Sequence, residues 1–130
     1  MFLIIVNIEG SFQGRKILQG ADYLILNNEI DRYKKQRKDA KKILVSLGGS
    51  DTYGVTIIIL RLLKKHHIGA TIHIGPSFVH KEELEKELTK DYKVVTYTPS
   101  LIKEFAKYDL AITGGGITPF EANASGLPCL

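Results

Sequence analysis

The chain reads as an α/β protein with a doubly wound parallel sheet, and three observations predict it. From Lys42 onward, short apolar runs alternate with segments of helical periodicity. The runs are compact and continuously apolar, as in strands covered by helices on both faces. Two glycine-rich turns each leave the end of such a run and open a helical segment. Right-handed crossovers bring the carboxyl ends of parallel strands to one edge, where loops of this kind meet.

Each element has its own signal. A strand over 43–47 is followed by a helix whose Val55, Ile58, Ile59, Leu62 and Leu63 recur at helical spacing, and Gly69 ends it. A second strand over 70–74 turns at Gly75-Pro76-Ser77 into a charged helix over 82–90, with Leu84 and Leu88 paired at i, i+4. After a third strand over 93–97, Thr98-Pro99 gives a helix start, threonine as N-cap and proline at the first helical position. Leu101, Ile102, Phe105 and Ala106 form that helix's apolar face. A fourth strand over 109–113 meets the second glycine turn, a short helix covers 119–125, and Gly126-Leu127-Pro128-Cys129-Leu130 opens a fifth strand.

The amino-terminal part differs in character. It reads as a strand over 2–8, a connector or short helix over 14–19 and a brief strand over 23–26. Residues 1–30 are expected to be the tail of a preceding N-terminal domain, 31–41 a basic connector and 42–130 the α/β domain. A doubly wound sheet has no natural stop just after a strand-opening proline, so the domain is expected to be incomplete at both ends.

Composition narrows the class. With 130 residues, 44% hydrophobic and 25% charged, the chain has the make-up of a globular protein with one substantial core. Its opening apolar run, Met1-Phe2-Leu3-Ile4-Ile5-Val6, is too short to span a bilayer, and it lacks the basic start and cleavage pattern of a signal peptide. A single cysteine, Cys129, excludes an internal disulfide and fits a cytoplasmic location. Much of the net charge of +4 lies within 31–42. No aromatic interleaving accompanies it, so it reads as a solvated connector and no nucleic-acid partner is expected.

The two turns carry the chemistry. The first is Ser46-Leu47-Gly48-Gly49-Ser50-Asp51 and the second Thr113-Gly114-Gly115-Gly116-Ile117-Thr118. Glycine permits close backbone approach, and amides at a helix start suit an anion, so a phosphate-bearing small molecule is expected. Neither turn has the lysine and hydroxyl residue of a mononucleotide P-loop. No acidic residue stands about twenty positions beyond Gly49, which disfavours a dinucleotide. Glu121 has two readings: an acceptor for ribose hydroxyls, or the partner of Thr118 in a Thr-x-x-Glu capping box.

Three stretches carry a resemblance. They are Ile43-Leu44-Val45-Ser46-Leu47-Gly48-Gly49-Ser50-Asp51, Ala111 through the glycine turn to Pro119-Phe120-Glu121-Ala122, and Gly126-Leu127-Pro128. Together they resemble the UDP-sugar hydrolases of pseudaminic acid synthesis and the spore-coat polysaccharide biosynthesis proteins, relatives of the GT-B glycosyltransferases. Gly20-Ala21-Asp22-Tyr23-Leu24-Ile25-Leu26 also fits the segment before the second domain in these families.

The resemblance implies the Rossmann-like C-terminal domain of a GT-B protein, holding UDP or a UDP-sugar. Gly48, Gly49, Ser50 and Asp51 would border the sugar or diphosphate, and Gly114, Gly115, Gly116, Ile117 and Thr118 the diphosphate. Glu121 would hold the ribose, and the loop with Leu101 and Ile102 would lie against the uracil. Gly116 stands where relatives usually carry serine, which removes one hydroxyl contact. In the hydrolases the catalytic histidine lies in an N-terminal segment that has no counterpart here. No catalytic residue, metal ligand or cofactor is therefore assigned, and the missing half is expected in an N-terminal domain or on a separate partner chain. Of the histidines, His80 alone follows a loop on the ligand edge, while His73 lies within a strand.

Overall fold

A computed structural model describes the backbone at 2–4 and 17–19, and backbone and side chains over 23–96 and 98–130. In chain order the elements are β1 (Phe2–Ile4), β2 (Ile17–Gln19), α1 (Ile30–Tyr33), β3 (Ile43–Ser46), α2 (Val55–Lys65) and β4 (Ala70–His73). They continue with α3 (Lys81–Glu87), β5 (Tyr92–Val95), α4 (Leu101–Phe105), β6 (Leu110–Thr113) and α5 (Thr118–Ala124). The main sheet has the order β5-β4-β3-β6, all parallel. Cys129 bridges Ala111 in parallel, with Ala111 N–H donating to the Pro128 carbonyl at 2.9 Å, so the fifth strand begins beside β6.

Alternation along β3 divides the core in two. Ile43 and Val45 face one side, with Ile57, Leu60 and Leu63 of α2, Ile72 of β4 and Leu84 of α3. Leu44 faces the other, with Ile102 and Phe105 of α4, Ala111 of β6 and Ala122 of α5. Helices thus cover opposite faces, and the Rossmann-like, doubly wound parallel architecture read from the sequence is the one observed. No helix among the described residues is long and apolar enough to cross a membrane.

Several local expectations change. Helix α2 buries Thr56, Ile57, Leu60 and Leu63, while Val55, Ile58 and Leu62 are exposed by 39%, 61% and 58%. Its sequence is apolar nearly all round, so spacing alone does not fix the phase, and packing on β3 and β4 decides it. Helix α3 stops at Glu87, with Leu88 in extended conformation, so Leu84 is buried without the expected helical pair. Helix α4 starts later than Thr98-Pro99 implies: Ser100 is its N-cap, and its hydroxyl accepts the Lys103 N–H at 3.4 Å.

The amino-terminal segment departs from expectation in two places. Residues 17–19 form a strand pairing in parallel with β1, rather than a connector or helix. Residues 24–26 are irregular, not a strand. The remainder of the strand expected over 2–8, and 14–16, lie outside the described residues.

The basic segment is exposed over 31–41 except at Tyr33 and Arg37, and it is held to the α/β unit there and at the preceding Ile30. Ile30 is buried beside Leu44, Ile102 and Phe105, with Leu26 and Tyr33 partly buried against them. The Arg37 guanidinium donates to the carbonyls of Phe105 at 2.7 Å, Tyr108 at 3.2 Å, Ser125 at 2.6 Å and Lys35 at 2.5 Å. It thereby adds a charged donor to carbonyls at the carboxyl ends of two helices, where Phe105 and Ser125 also accept the N–H groups of Tyr108 and Lys35.

Candidate functional site

The two glycine turns leave neighbouring strands. Ser46 and Thr113 are in register across β3 and β6, and the Gly114 N–H points to the Ser46 carbonyl at 3.4 Å. On the other flank of β3, Ser46 is in register with His73, which places Gly75 beside the first turn. A β-carbon at Gly75 would run into the Gly49 backbone, so glycine is required for the two loops to touch. The Gly49 carbonyl accepts the Ser77 N–H at 3.2 Å, which ties them together.

These loops enclose a cavity of about 470 Å³ at the carboxyl edge of the sheet. Gly48 and Gly49 form one wall, Gly75 and Pro76 a second, Thr96, Thr98 and Leu101 a third, and Thr118 closes it; Ser46, His73, Ile74 and Val95 complete the lining. The size suits a small organic ligand. No lysine, arginine, aspartate or glutamate is among the described lining residues.

The second turn presents backbone donors beside this cavity. Among the described residues, the N–H groups of Gly115, Gly116, Ile117 and Thr118 donate to no backbone acceptor. Gly116 holds φ +94°, a conformation that glycine adopts freely and other residues rarely do. Successive unpaired amides in such a turn form a concave anion-binding surface. The row starts next to Ser46 and ends at Thr118, so it borders the uncharged cavity.

The start of α2 is arranged differently. The Asp51 carboxylate accepts the N–H groups of Val55 at 3.0 Å and Thr56 at 2.8 Å. The amides at this helix start are therefore paired within the protein. Ser50, Asp51 and Gly114 line a second depression, beside Tyr53, Val55 and Ile112, away from the first cavity. Ile102 is buried in the core with Phe105, whereas its neighbour Leu101 lines the cavity.

Glu121 lies half-buried in the first turn of α5. The capping box with Thr118 is not formed: Ile117 is the N-cap, without a side-chain hydrogen bond, and the Glu121 N–H donates to the Ile117 carbonyl. Pro119 at the helix start supplies the fixed φ, so the helix begins without that box. Burial pushes the Glu121 carboxyl above the ordinary glutamate range, with no hydrogen bond or ion pair among the described residues to offset it.

The histidines exchange places relative to expectation. His80 packs edge-on against Phe78, and its Nε2 is 3.3 Å from the Thr52 carbonyl, outside the cavity lining. His73 lines the cavity, is only 7% exposed, and has an Nε2 without a partner among the described residues. A buried unsatisfied nitrogen costs about 1–3 kcal/mol. The sequence carried a signal for this group, since His73 ends a strand directly before Ile74-Gly75-Pro76 at the same edge as the glycine turns.

Fold and site together define a Rossmann-like α/β protein with a ligand-sized cavity and an adjoining amide turn at the carboxyl edge of its sheet. No protein-family model matches the chain. It is 34% identical over 125 residues to the uncharacterized protein MJ1062 of Methanocaldococcus jannaschii, an alignment covering 84% of this chain and 25% of that protein. It is 30% identical over 124 residues to the spore coat polysaccharide biosynthesis protein SpsG of Bacillus subtilis, covering 88% of this chain and 37% of that one. The chain thus spans between a quarter and two fifths of the length of these relatives.

Proposed function

We propose that this chain is the nucleotide-sugar-binding part of a UDP-sugar hydrolase of polysaccharide biosynthesis, with the GT-B C-terminal arrangement. The observation that carries the reading is the row of unpaired amides at 115–118 beside a cavity without charged lining. Such a pair suits a ligand that is anionic at one end and neutral and planar at the other, as a nucleoside diphosphate is. The likeness to SpsG supports a role in polysaccharide biosynthesis.

In this reading the diphosphate lies on the amides of Gly115, Gly116, Ile117 and Thr118, and Glu121 accepts hydrogen bonds from the ribose. Gly48 and Gly49 border the phosphate side, and Thr98 and Leu101 flank the base. Ser50, Asp51, Gly114 and Ile102 support these loops from behind. The amide row would stabilise charge developing on the diphosphate as water displaces it from the sugar. A base that activates the water comes from an N-terminal domain or a separate chain.

Calorimetric titration with UDP, CDP, GDP and NAD tests the reading. UDP is expected to bind preferentially. Gly115→Val is expected to abolish that binding at unchanged melting temperature, because a β-carbon at Gly115 meets nothing within 4 Å. Equal binding by the variant, or no binding of any nucleoside diphosphate, overturns it.

A further inference from the structure

We infer that His73 is a ligand-binding residue of the cavity, hydrogen-bonding in its neutral form to the edge of an uncharged heterocyclic ring. This rests on the nucleotide reading above and adds to it the group that engages the base.

His73 ends β4, the strand between β3 and β5, and its side chain shares a sheet face with those of Ser46 and Val95, its register partners, which also line the cavity. The other polar side chains among the described lining residues are the hydroxyls of Ser46, Thr96, Thr98 and Thr118, and among those residues His73 alone is titratable. The residue keeps 7% of its surface open at the lining, and its Nε2 has no protein partner among the described residues. Imidazole normally finds a hydrogen-bond partner when buried, and an orphaned nitrogen on a cavity wall calls for a functional explanation.

The surroundings specify what that partner can be. Burial holds His73 below the ordinary histidine range; Glu104 of α4 opposes this, while Lys107, after α4, and Lys93 of β5 reinforce it. Tyr108 meets the ring edge-on, at 6.4 Å between centroids. The imidazole is therefore neutral at pH 7 and can donate from one nitrogen and accept at the other. A phosphate is met by successive amide donors, as at the glycine turns, rather than by a single neutral imidazole. A neutral ring with carbonyl and N–H groups on one edge matches both the imidazole and the uncharged walls.

The experiment is histidine-selective ¹⁵N NMR on the intact chain, with uridine, UDP and inorganic pyrophosphate as probes. Uridine and UDP are expected to shift the His73 ring nitrogens and to change its tautomer ratio, whereas pyrophosphate leaves them unmoved. His73→Leu is expected to weaken UDP binding about tenfold without altering pyrophosphate binding, and His73→Gln to recover part of the loss. UDP binding that leaves the His73 resonances unchanged overturns this inference while the nucleotide reading stands. Failure of the chain to bind UDP overturns both. A pyrophosphate-induced shift as large as that from UDP overturns the assignment to the base.

Discussion

At the scale of single residues, the informative groups are those the fold leaves without partners. The half-buried Glu121 carboxylate is held above the usual range by burial alone. Its charge is thus a liability for the folded state and an asset for binding hydroxyl groups. Glu121→Gln is expected to leave stability at pH 7 unchanged or slightly raised, while weakening UDP about tenfold, the effect of one charge-assisted hydrogen bond. Urea titration and calorimetry on the same sample check the two halves separately. Because burial depresses the folded-state pKa of His73, the unfolded chain takes up a proton first as pH falls. The stabilisation is complete above about pH 6.5, the free histidine value, and is lost as pH drops toward the folded value. Urea midpoints of the parent chain should therefore fall more steeply between about pH 7 and pH 5 than those of His73→Leu.

Among elements, the linkage of α1, α4 and α5 depends on Arg37, whose planar fork reaches carbonyls at the ends of two helices. Arg37→Met is expected to cost about 2–3 kcal/mol in urea unfolding, since several carbonyls lose a charged donor together. Arg37→Lys should restore little, because an ammonium cannot span the same carbonyls. This role was not legible in the sequence. A run of lysines and arginines looks solvated, and only the fold brings Phe105, Tyr108 and Ser125 to one of them. The strand–helix order was legible, because Leu44, Val45 and Ile72 lie in unbroken apolar runs between turn residues. The phase of α2 was not, since Ile58 and Leu62 are as apolar as Ile57 and Leu60 and only packing distinguishes them. In the site, Gly48, Gly49, Leu101 and Thr118 were legible because glycine turns and helix starts announce themselves. His73 was missed because, read within a strand over 70–74, it looked like a sheet residue, and its place just before the Gly75-Pro76 turn carried the only sign of the cavity.

For the molecule as a whole, the proposed ligand would bridge segments far apart in sequence that meet at one sheet edge. A ligand that binds only the folded state at a hundredfold excess over its Kd adds about 2.7 kcal/mol of stability. With an unfolding entropy of about 2.1 cal/mol/K per residue, that corresponds to a rise of roughly 10 °C in melting temperature for a chain of this size. A global rise does not by itself locate the ligand, so the sharper expectation concerns amide hydrogen exchange. The amides at 115–118 lack backbone acceptors and should exchange fast in the free protein. UDP is expected to slow them and, together with them, those of Gly48 and Gly49, although more than sixty positions separate the two turns. Pyrophosphate is expected to slow the second turn alone. Protection confined to the lysine-rich stretch at 34–42 would instead mean that anions are held by its solvated cations. Binding would then fall steeply with salt for any polyanion, and the sheet edge would have no part in it.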